Sequence, residues 1–255
     1  MSVLDQFSLK GKVALVTGTD RGLGQAMALA LAEAGADVAG VGISDGQNTA
    51  ALIEDMGRRY FHQQVDLIRA PVDELGRLVR SVVDALGRLD ILVNNAGIIR
   101  RTPALDFSES DWDDVIQINL KAVFFLSQAA ARVMHDQGGG KIISVASMLS
   151  YQGGITVPSY TASKHGVMGI TRALANELAG QNINVNAIAP GYMATDNTAA
   201  LRADAARSSA ILDRIPAGRW GTPDDLKGVV VFLASAASDY MNGSTIPVDG
   251  GWLAR

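Results

Sequence analysis

The chain has 255 residues, 48% of them hydrophobic, which is enough to bury one full core as a single α/β domain rather than two small ones. A formal charge of −4 supplies no basic field, so neither nucleic acid nor an anionic membrane is an expected partner. With no cysteine, disulfides, thiolate nucleophiles and Cys-bound zinc are excluded, and any chemistry falls to hydroxyls, amines and carboxylates.

Residues 1–10 carry Asp5 and lack the apolar run of a signal peptide, and the longest uncharged stretch, 142–163, is broken by Gly153, Gly154 and Pro158. A soluble, cytoplasmic protein with a small-molecule partner is therefore expected. Short apolar runs at 13–16, 38–41, 91–93, 142–145 and 185–189 read as buried strands. Between them, 23–34, 72–86, 112–135 and 159–179 have helical composition. Parallel neighbours need long crossovers, so this alternation predicts a Rossmann-type doubly wound parallel sheet with helices on both faces, as one domain over 1–255. The irregular segment 192–218 follows a strand and is placed to cover a substrate, although a pair of solvated surface helices fits the same composition.

The first strand runs into Gly18, Thr19, Asp20, Arg21, Gly22, Leu23 and Gly24, and then a helix. Glycines let backbone approach a pyrophosphate, and the helix behind them offers free N–H groups and the positive end of its dipole. Two more strand ends point to the same crevice, Asp66-Leu67 after the third strand and Asn94-Asn95-Ala96-Gly97 after the fourth. Tyr160 and Lys164 lie four apart in a helical segment and so share a face. Ser147 precedes Tyr160 by thirteen residues, and Asn119 sits in an apolar helical stretch where an unpaired amide is costly.

The glycine spacing, the Asn-Asn-Ala-Gly run and the Ser147, Tyr160, Lys164 set together resemble the short-chain dehydrogenases/reductases, from about Lys12 to Gly250. That resemblance implies an NAD(P)-dependent oxidoreductase acting on a hydroxyl or ketone carbon. A phenol with an ordinary pKa near ~10 needs neighbouring positive charge to act as a base, and Lys164 is expected to supply it. Ser147 would hold the substrate oxygen, and the resemblance implies a proton relay through a water held by Asn119. It also places Pro190, Gly191, Met193 and Thr195 beside the nicotinamide and pyrophosphate, with Tyr160 and Lys164 touching the cofactor as well. The family's ribose-binding acid is missing from the end of the second strand, where Gly42 stands. Arg21 resembles the basic residue of NADP-preferring members, but no second arginine stands beside it and Asp20 and Asp45 oppose a phosphate. NAD is the expected cofactor, with NADP as the alternative. The three histidines lack ligand spacing, and no metal is expected.

Five stretches, 94–101, 146–163, 187–195, 211–221 and 249–255, resemble a narrower branch, the 2-dehydro-3-deoxy-D-gluconate 5-dehydrogenases of bacterial uronate and pectin breakdown. Such a substrate requires a cation and hydrogen-bond donors. Among Arg100, Arg101, Arg202, Arg214 and Arg219, the first choices for its carboxylate are Arg101 and Arg202, with Gln152 and Tyr192 for hydroxyls. The same catalytic set would serve a 3-oxoacyl carrier-protein reductase, a sugar-alcohol dehydrogenase or a steroid dehydrogenase. A nicotinamide-binding regulator without turnover would be marked by loss of the tyrosine or lysine, and both are present. The family resemblance further implies a homotetramer built on the helices at 112–135 and 159–179.

Overall fold

The computed structural model describes residues 2–255. Its strands are β1 (Val13–Thr17), β2 (Asp37–Gly42), β3 (Tyr60–Gln64), β4 (Ile91–Asn94), β5 (Gly140–Val145), β6 (Ile183–Pro190) and β7 (Thr245–Val248). They form one sheet in the order β3-β2-β1-β4-β5-β6-β7, and every neighbouring pair is parallel. The helices are α1 (Gly22–Glu33), α2 (Gln47–Asp55), α3 (Val72–Leu86), α4 (Glu109–Ile116), α5 (Ala122–Gln137), α6 (Pro158–Leu178), α7 (Ala199–Ala203), α8 (Ala205–Leu212) and α9 (Lys227–Ala234). The doubly wound architecture expected from the strand-helix alternation is the one the chain adopts.

Side chains alternate across each strand, so buried strands feed two cores at once. Leu15, Leu92 and Ile142 pack toward α3, α5 and α6 with Leu75, Leu78, Leu126 and Leu174. Ala14, Val16, Ile91 and Val93 face the other way, onto Met27 and Leu31 of α1 and Val230 and Leu233 of α9. Full burial of each large aliphatic side chain stabilises the fold by roughly 1.5–3 kcal/mol, and both faces of the central strands contribute. Among the described residues no helix is long and apolar enough to cross a membrane.

The helix expected over 112–135 is interrupted. It begins at Glu109 behind Ser108, whose hydroxyl accepts from the Asp111 N–H at 3.1 Å, and it widens into a π turn at Gln117–Lys121. The π turn carries the fully buried Asn119, whose amide finds its partners on the backbone of Ile98. Two helices and a strand have no counterpart in the sequence reading. α9 is apolar on nearly every side and so has no period to detect, while α2 is short and mostly exposed. β7 contains Pro247, which a sheet tolerates because β7 is an edge strand paired only to β6.

Strand order reverses between β1 and β4, and a crevice opens at their carboxyl ends. The seam is tied by side chains. Thr17 Oγ1 accepts from the N–H groups of Asn95 (3.0 Å) and Ala96 (2.9 Å), and Asn95 Nδ2 donates in the same direction to the carbonyls of Thr17 (2.8 Å) and Gly18 (3.3 Å). A Cβ on Gly24 would lie 2.0 Å from the Gly18 carbonyl oxygen and 2.4 Å from Asn95 Nδ2, so α1 can start this close to the seam only with glycine there. Gly24→Ala is accordingly expected to lower stability by about 1–3 kcal/mol, the usual range for overpacking. Gly76→Ala in α3, where the nearest atom to a new Cβ is the flexible Arg80 tip at 3.5 Å, is expected to raise it by about 0.5–1 kcal/mol. Denaturant titration of both variants checks the pair, and a neutral Gly24→Ala contradicts the packing.

Candidate active site

The glycine loop ends on the N-terminus of α1, and Gly18 (φ 74°) and Gly22 (φ 61°) take backbone conformations that side chains resist. Thr195 lies over this loop, since a Cβ on Gly22 would come 3.9 Å from its methyl carbon. The exposed Arg21 pairs with Asp196 at 2.9 Å, which joins the loop to the segment after β6. These surfaces form a glycine-lined cradle at a helix N-terminus, which fits a dinucleotide pyrophosphate.

Gly42 ends β2 without a side chain, and the space is filled from the glycine loop. Asp20 Oδ2 accepts from the N–H groups of Ile43 and Ser44, each at 3.1 Å. A Cβ on Gly42 would stand 1.9 Å from Asp20 Oδ1, so the two positions are coupled. The acid that the sequence lacks at the strand end is thus supplied there by Asp20.

Not every residue expected in the crevice sends its side chain there. Asn94 is buried and turns into the core, donating to Ser127 Oγ (3.0 Å) and Ser144 Oγ (3.4 Å). Its neighbour Asn95 carries the seam instead, a division of labour that the Asn-Asn doublet alone does not reveal. Leu67 and Met193 pack into the two cores, so only their backbones are left to face a ligand. Asp66 stays exposed beyond β3, with Oδ1 accepting from the Ile68 N–H at 2.9 Å. Leu23 lies in the first turn of α1, partly packed on the α1–α9 core. Gly97 must be small because a Cβ would meet Asn119 Oδ1 at 2.8 Å, and Gly191 because one would meet the Asp249 Cα at 2.6 Å. Pro190 closes β6, and the Gly191 N–H holds the Val248 carbonyl at 3.0 Å.

Ser147 follows β5 by two residues and caps the short turn at Met148–Ser150. Its Oγ accepts from the Leu149 N–H at 3.1 Å, and its N–H donates to Ser150 Oγ at 3.2 Å, whose own hydroxyl donates to the Lys164 carbonyl at 2.6 Å. This chain of bonds fixes the serine against the helix that carries the tyrosine and lysine. Lys164 is buried, with Nζ 5.6 Å from the centre of the Tyr160 ring and donating to the Val145 carbonyl at 2.6 Å. Desolvation pushes the ammonium down to about 8. Desolvation also pushes the Tyr160 phenol up, opposed by hydrogen bonding to Ser147 and by the charge of Arg101. Two cations thus stand near the phenol, Arg101, which was not expected in that role, and the Lys164 ammonium over the ring.

The Asn119 side chain is tied to two neighbouring elements. Oδ1 accepts from the Ile98 N–H at 2.9 Å, and Nδ2 donates to the Ile98 carbonyl at 3.0 Å and to Ser163 Oγ at 3.2 Å. Both amide protons are in use, so the side chain positions the loop after β4 and the helix bearing Tyr160.

The arginines separate clearly. Arg100 is held by Asp111 (3.1 Å) and Asp114 (3.3 Å), and Arg219 by Asp225 (2.7 Å), where the guanidinium keeps the Asp225 carboxyl far below the usual range. Arg202 donates to the Thr195 carbonyl at 3.1 Å, on the cofactor side of the crevice. Arg101 donates to the Asn197 carbonyl at 3.0 Å, and Arg214 to Gln152 Oε1 at 3.3 Å. Neither of these last two has a carboxylate partner among the described residues. Tyr192 packs edge-on against the aromatic rings of Trp220 and Trp252, with ring centres 5.4 Å and 4.8 Å away. Arg207, on α8, also bears on Tyr192 and was not singled out from the sequence. The signal was available in the spacing Arg207, Ile211, Arg214, which marks one helical face. Among the described residues no group of three or more acidic or histidine side chains is arranged to hold a metal ion.

A parallel sheet with a glycine cradle at its reversal point, and a serine, tyrosine and lysine converging on the neighbouring strand end, define a nicotinamide-dependent oxidoreductase. The chain belongs to the short-chain dehydrogenase/reductase family, and residues 18–253 match a family model described as enoyl-(acyl carrier protein) reductase. It is 63% identical to the 2-dehydro-3-deoxy-D-gluconate 5-dehydrogenase of Escherichia coli strain K12 over 99% of this chain and 100% of that one. Among solved structures, it is 54% identical to an Agrobacterium tumefaciens protein assigned as a 2-deoxy-D-gluconate 3-dehydrogenase with bound NADP (TM-score 0.92, covering 98% and 100% of the two chains). A gluconate 5-dehydrogenase from Burkholderia cenocepacia in complex with NADP and tartrate is 39% identical (TM-score 0.95, covering 100% of both). The protein is an NAD(P)-dependent oxidoreductase.

The buried lysine gives a stability signature. The unfolded chain keeps the Lys164 proton up to its ordinary value of 10.5, whereas the folded chain releases it near 8. Between those values the unfolded state binds more protons, so this group's contribution to stability rises with pH. The stability difference between wild type and Lys164→Met, measured by denaturant titration, is expected to shift in favour of wild type from pH ~8 to ~10. A difference independent of pH would show that the ammonium is not desolvated.

Proposed function

We propose that the protein oxidises the C5 hydroxyl of 2-dehydro-3-deoxy-D-gluconate, using NAD, in the breakdown of uronates such as those of pectin. The observation that supports this most directly is the convergence of Ser147, Tyr160 and Lys164 at the end of β5, with the unpaired Arg101 beside the phenol. The identity to the Escherichia coli dehydrogenase over the whole chain supports the substrate.

In this reading Ser147 holds the hydroxyl oxygen, and Tyr160 as phenolate takes its proton while the C5–H bond breaks. The bound nicotinamide supplies the two-electron acceptor for that carbon. Arg101 favours the phenolate, and Lys164, anchored on Val145, holds a proton source behind the ring and reaches the cofactor ribose. The cradle of Gly18, Gly22 and Gly24 receives the pyrophosphate. Asp66, Ala96, Gly97 and the backbones of Leu23, Leu67 and Asn94 line the adenosine side, while Pro190, Gly191, Met193 and Thr195 line the nicotinamide side. Segment 192–218 covers the substrate, anchored by Ile211 and Ile215 on Met148 and Trp252.

Two features support NAD although the solved relatives carry NADP. Asp20 sets a carboxylate at the end of β2, where it repels a 2′-phosphate, and Arg21 is already paired with Asp196. A homotetramer in the cytoplasm completes the reading. Its support is an apolar groove of about 360 Å³ between α5 and α6, lined by Phe124, Ala131, Ile170, Ala173, Leu174 and Leu178. Light scattering is expected to give a mass of four chains, and a monomer contradicts it.

A spectrophotometric assay with uronate-derived keto acids tests the activity. Turnover is expected with 2-dehydro-3-deoxy-D-gluconate, higher kcat/KM with NAD than with NADP, and a fall of at least ~10²-fold in Tyr160→Phe with cofactor binding intact. Asp20→Asn is expected to narrow the cofactor gap, while Arg21→Ala changes the ratio by less than about tenfold. No turnover of any such acid, or an NADP preference abolished by Arg21→Ala, contradicts the reading.

A further inference from the structure

We propose that Arg207 and Arg214, backed by Trp252, form the binding site for a substrate carboxylate remote from the reacting carbon, with Tyr192 as a neutral donor between the two ends. This rests on the reading above that the protein acts on a sugar acid.

The geometry begins with Ile211, which is buried against Met148, Ile215 and Trp252, with Tyr192, Leu149 and Trp220 around them. Arg207 precedes Ile211 by four residues and so lies on the face of α8 that packs on this cluster, while Arg214 follows in the turn just past the helix end, between Ile211 and Ile215. The cluster adjoins the chemistry directly. Met148 follows Ser147, and Tyr192 follows the Pro190-Gly191 turn.

Arg214 is held in place rather than free on the surface. Its guanidinium carbon lies 4.0 Å from the centre of the Trp252 ring, and one of its nitrogens donates to Gln152 Oε1 at 3.3 Å. The C-terminal turn that carries Trp252 is itself fixed, because Asp249 accepts from the N–H groups of Gly251 and Leu253, each at 2.9 Å. Trp252 is 5% exposed, and its indole Nε1 is buried without an acceptor. A buried N–H of this kind is costly unless an oxygen reaches it. Arg207 and Arg214 likewise have no carboxylate within ion-pair distance among the described residues, in contrast to Arg100 and Arg219.

Charge separates the two ends of the site. Arg207, Arg214 and Arg101 all act on Tyr192, whose phenol burial holds protonated, whereas of these three only Arg101 acts on Tyr160. Arg214 stacks on Trp252, which itself packs on Tyr192 with ring centres 4.8 Å apart, so this guanidinium stands on the Trp252 side of Tyr192. A substrate that reaches from Tyr160 to this guanidinium has its carboxylate several bonds from the carbon being oxidised. Anchoring that carboxylate on α8 also sets the register in which the chain of hydroxyls lies, and so selects the one presented to Tyr160. Neutral sugars lack the carboxylate half of this recognition, and short 2-hydroxy monocarboxylates cannot span it.

The test compares Arg207→Gln and Arg214→Gln with wild type on 2-dehydro-3-deoxy-D-gluconate and on its C1 methyl ester. Each variant is expected to raise KM for the acid at least ~10-fold, with kcat within ~3-fold and KM for the ester unchanged, and Arg214→Lys to recover part of the loss. Equal effects on acid and ester, or a loss confined to kcat, would overturn the assignment. Calorimetric binding of tartrate to the protein with bound cofactor keeps the proposal testable if wild type turns over neither compound. Binding lost in both variants supports the carboxylate site even if the sugar-acid reading fails, and binding retained in both refutes the site.

Discussion

The hydrogen-bonded seam between β1 and β4 is the constraint on which the rest of the site depends. Strand order reverses there, so the crevice that opens at their carboxyl ends exists only if the two halves of the sheet are held edge to edge. Thr17 and Asn95 anchor four hydrogen bonds there, all donated by N–H groups after β4 to oxygens at the end of β1. The same bonds fix the glycine loop, because Asn95 holds the Gly18 carbonyl and Gly24 packs against it. Ala96 and Gly97 are thereby set on the path that leads through Ile98 to Asn119 and the tyrosine-bearing helix. One seam therefore orients both the cofactor cradle and the catalytic helix.

Catalysis of this kind needs groups whose protonation is set by their surroundings, and the site achieves that mainly by desolvation. Burial lowers Lys164 and raises Tyr160, so each is driven toward its neutral form. Hydrogen bonding to Ser147 and the charge of Arg101, from the loop after β4, oppose that rise at the phenol, and Lys164 Nζ stands 5.6 Å from the ring centre.

Much of this was legible in the sequence. The apolar runs at 13–16, 38–41, 91–93, 142–145 and 185–189 fall within observed strands because strands buried on both faces must be continuously apolar. The spacing of Tyr160 and Lys164 puts both on one helical face, as observed, and the structure sets that helix against Ser147, the serine that the family resemblance implied. What was not legible depended on side chains reaching across the fold. Nothing local shows that Asp20 fills the space left by Gly42, that Asn94 turns inward while Asn95 turns to the seam, or that a π turn seats Asn119 on Ile98. Arg207 was overlooked for a related reason, since a polar, alanine-rich segment hides a single buried residue, Ile211, that fixes which way α8 faces.

The account's central claim is that Tyr160 and Ser147 present the C5 carbon of a sugar acid to a nicotinamide held on the glycine loop. The most direct measurement uses 2-dehydro-3-deoxy-D-gluconate carrying deuterium at C5, with the reduced cofactor analysed by mass spectrometry after a single turnover. The account predicts that the deuterium appears in the cofactor and that kcat/KM falls by a normal primary isotope effect. Deuterium retained in the sugar acid while the cofactor is reduced would contradict it.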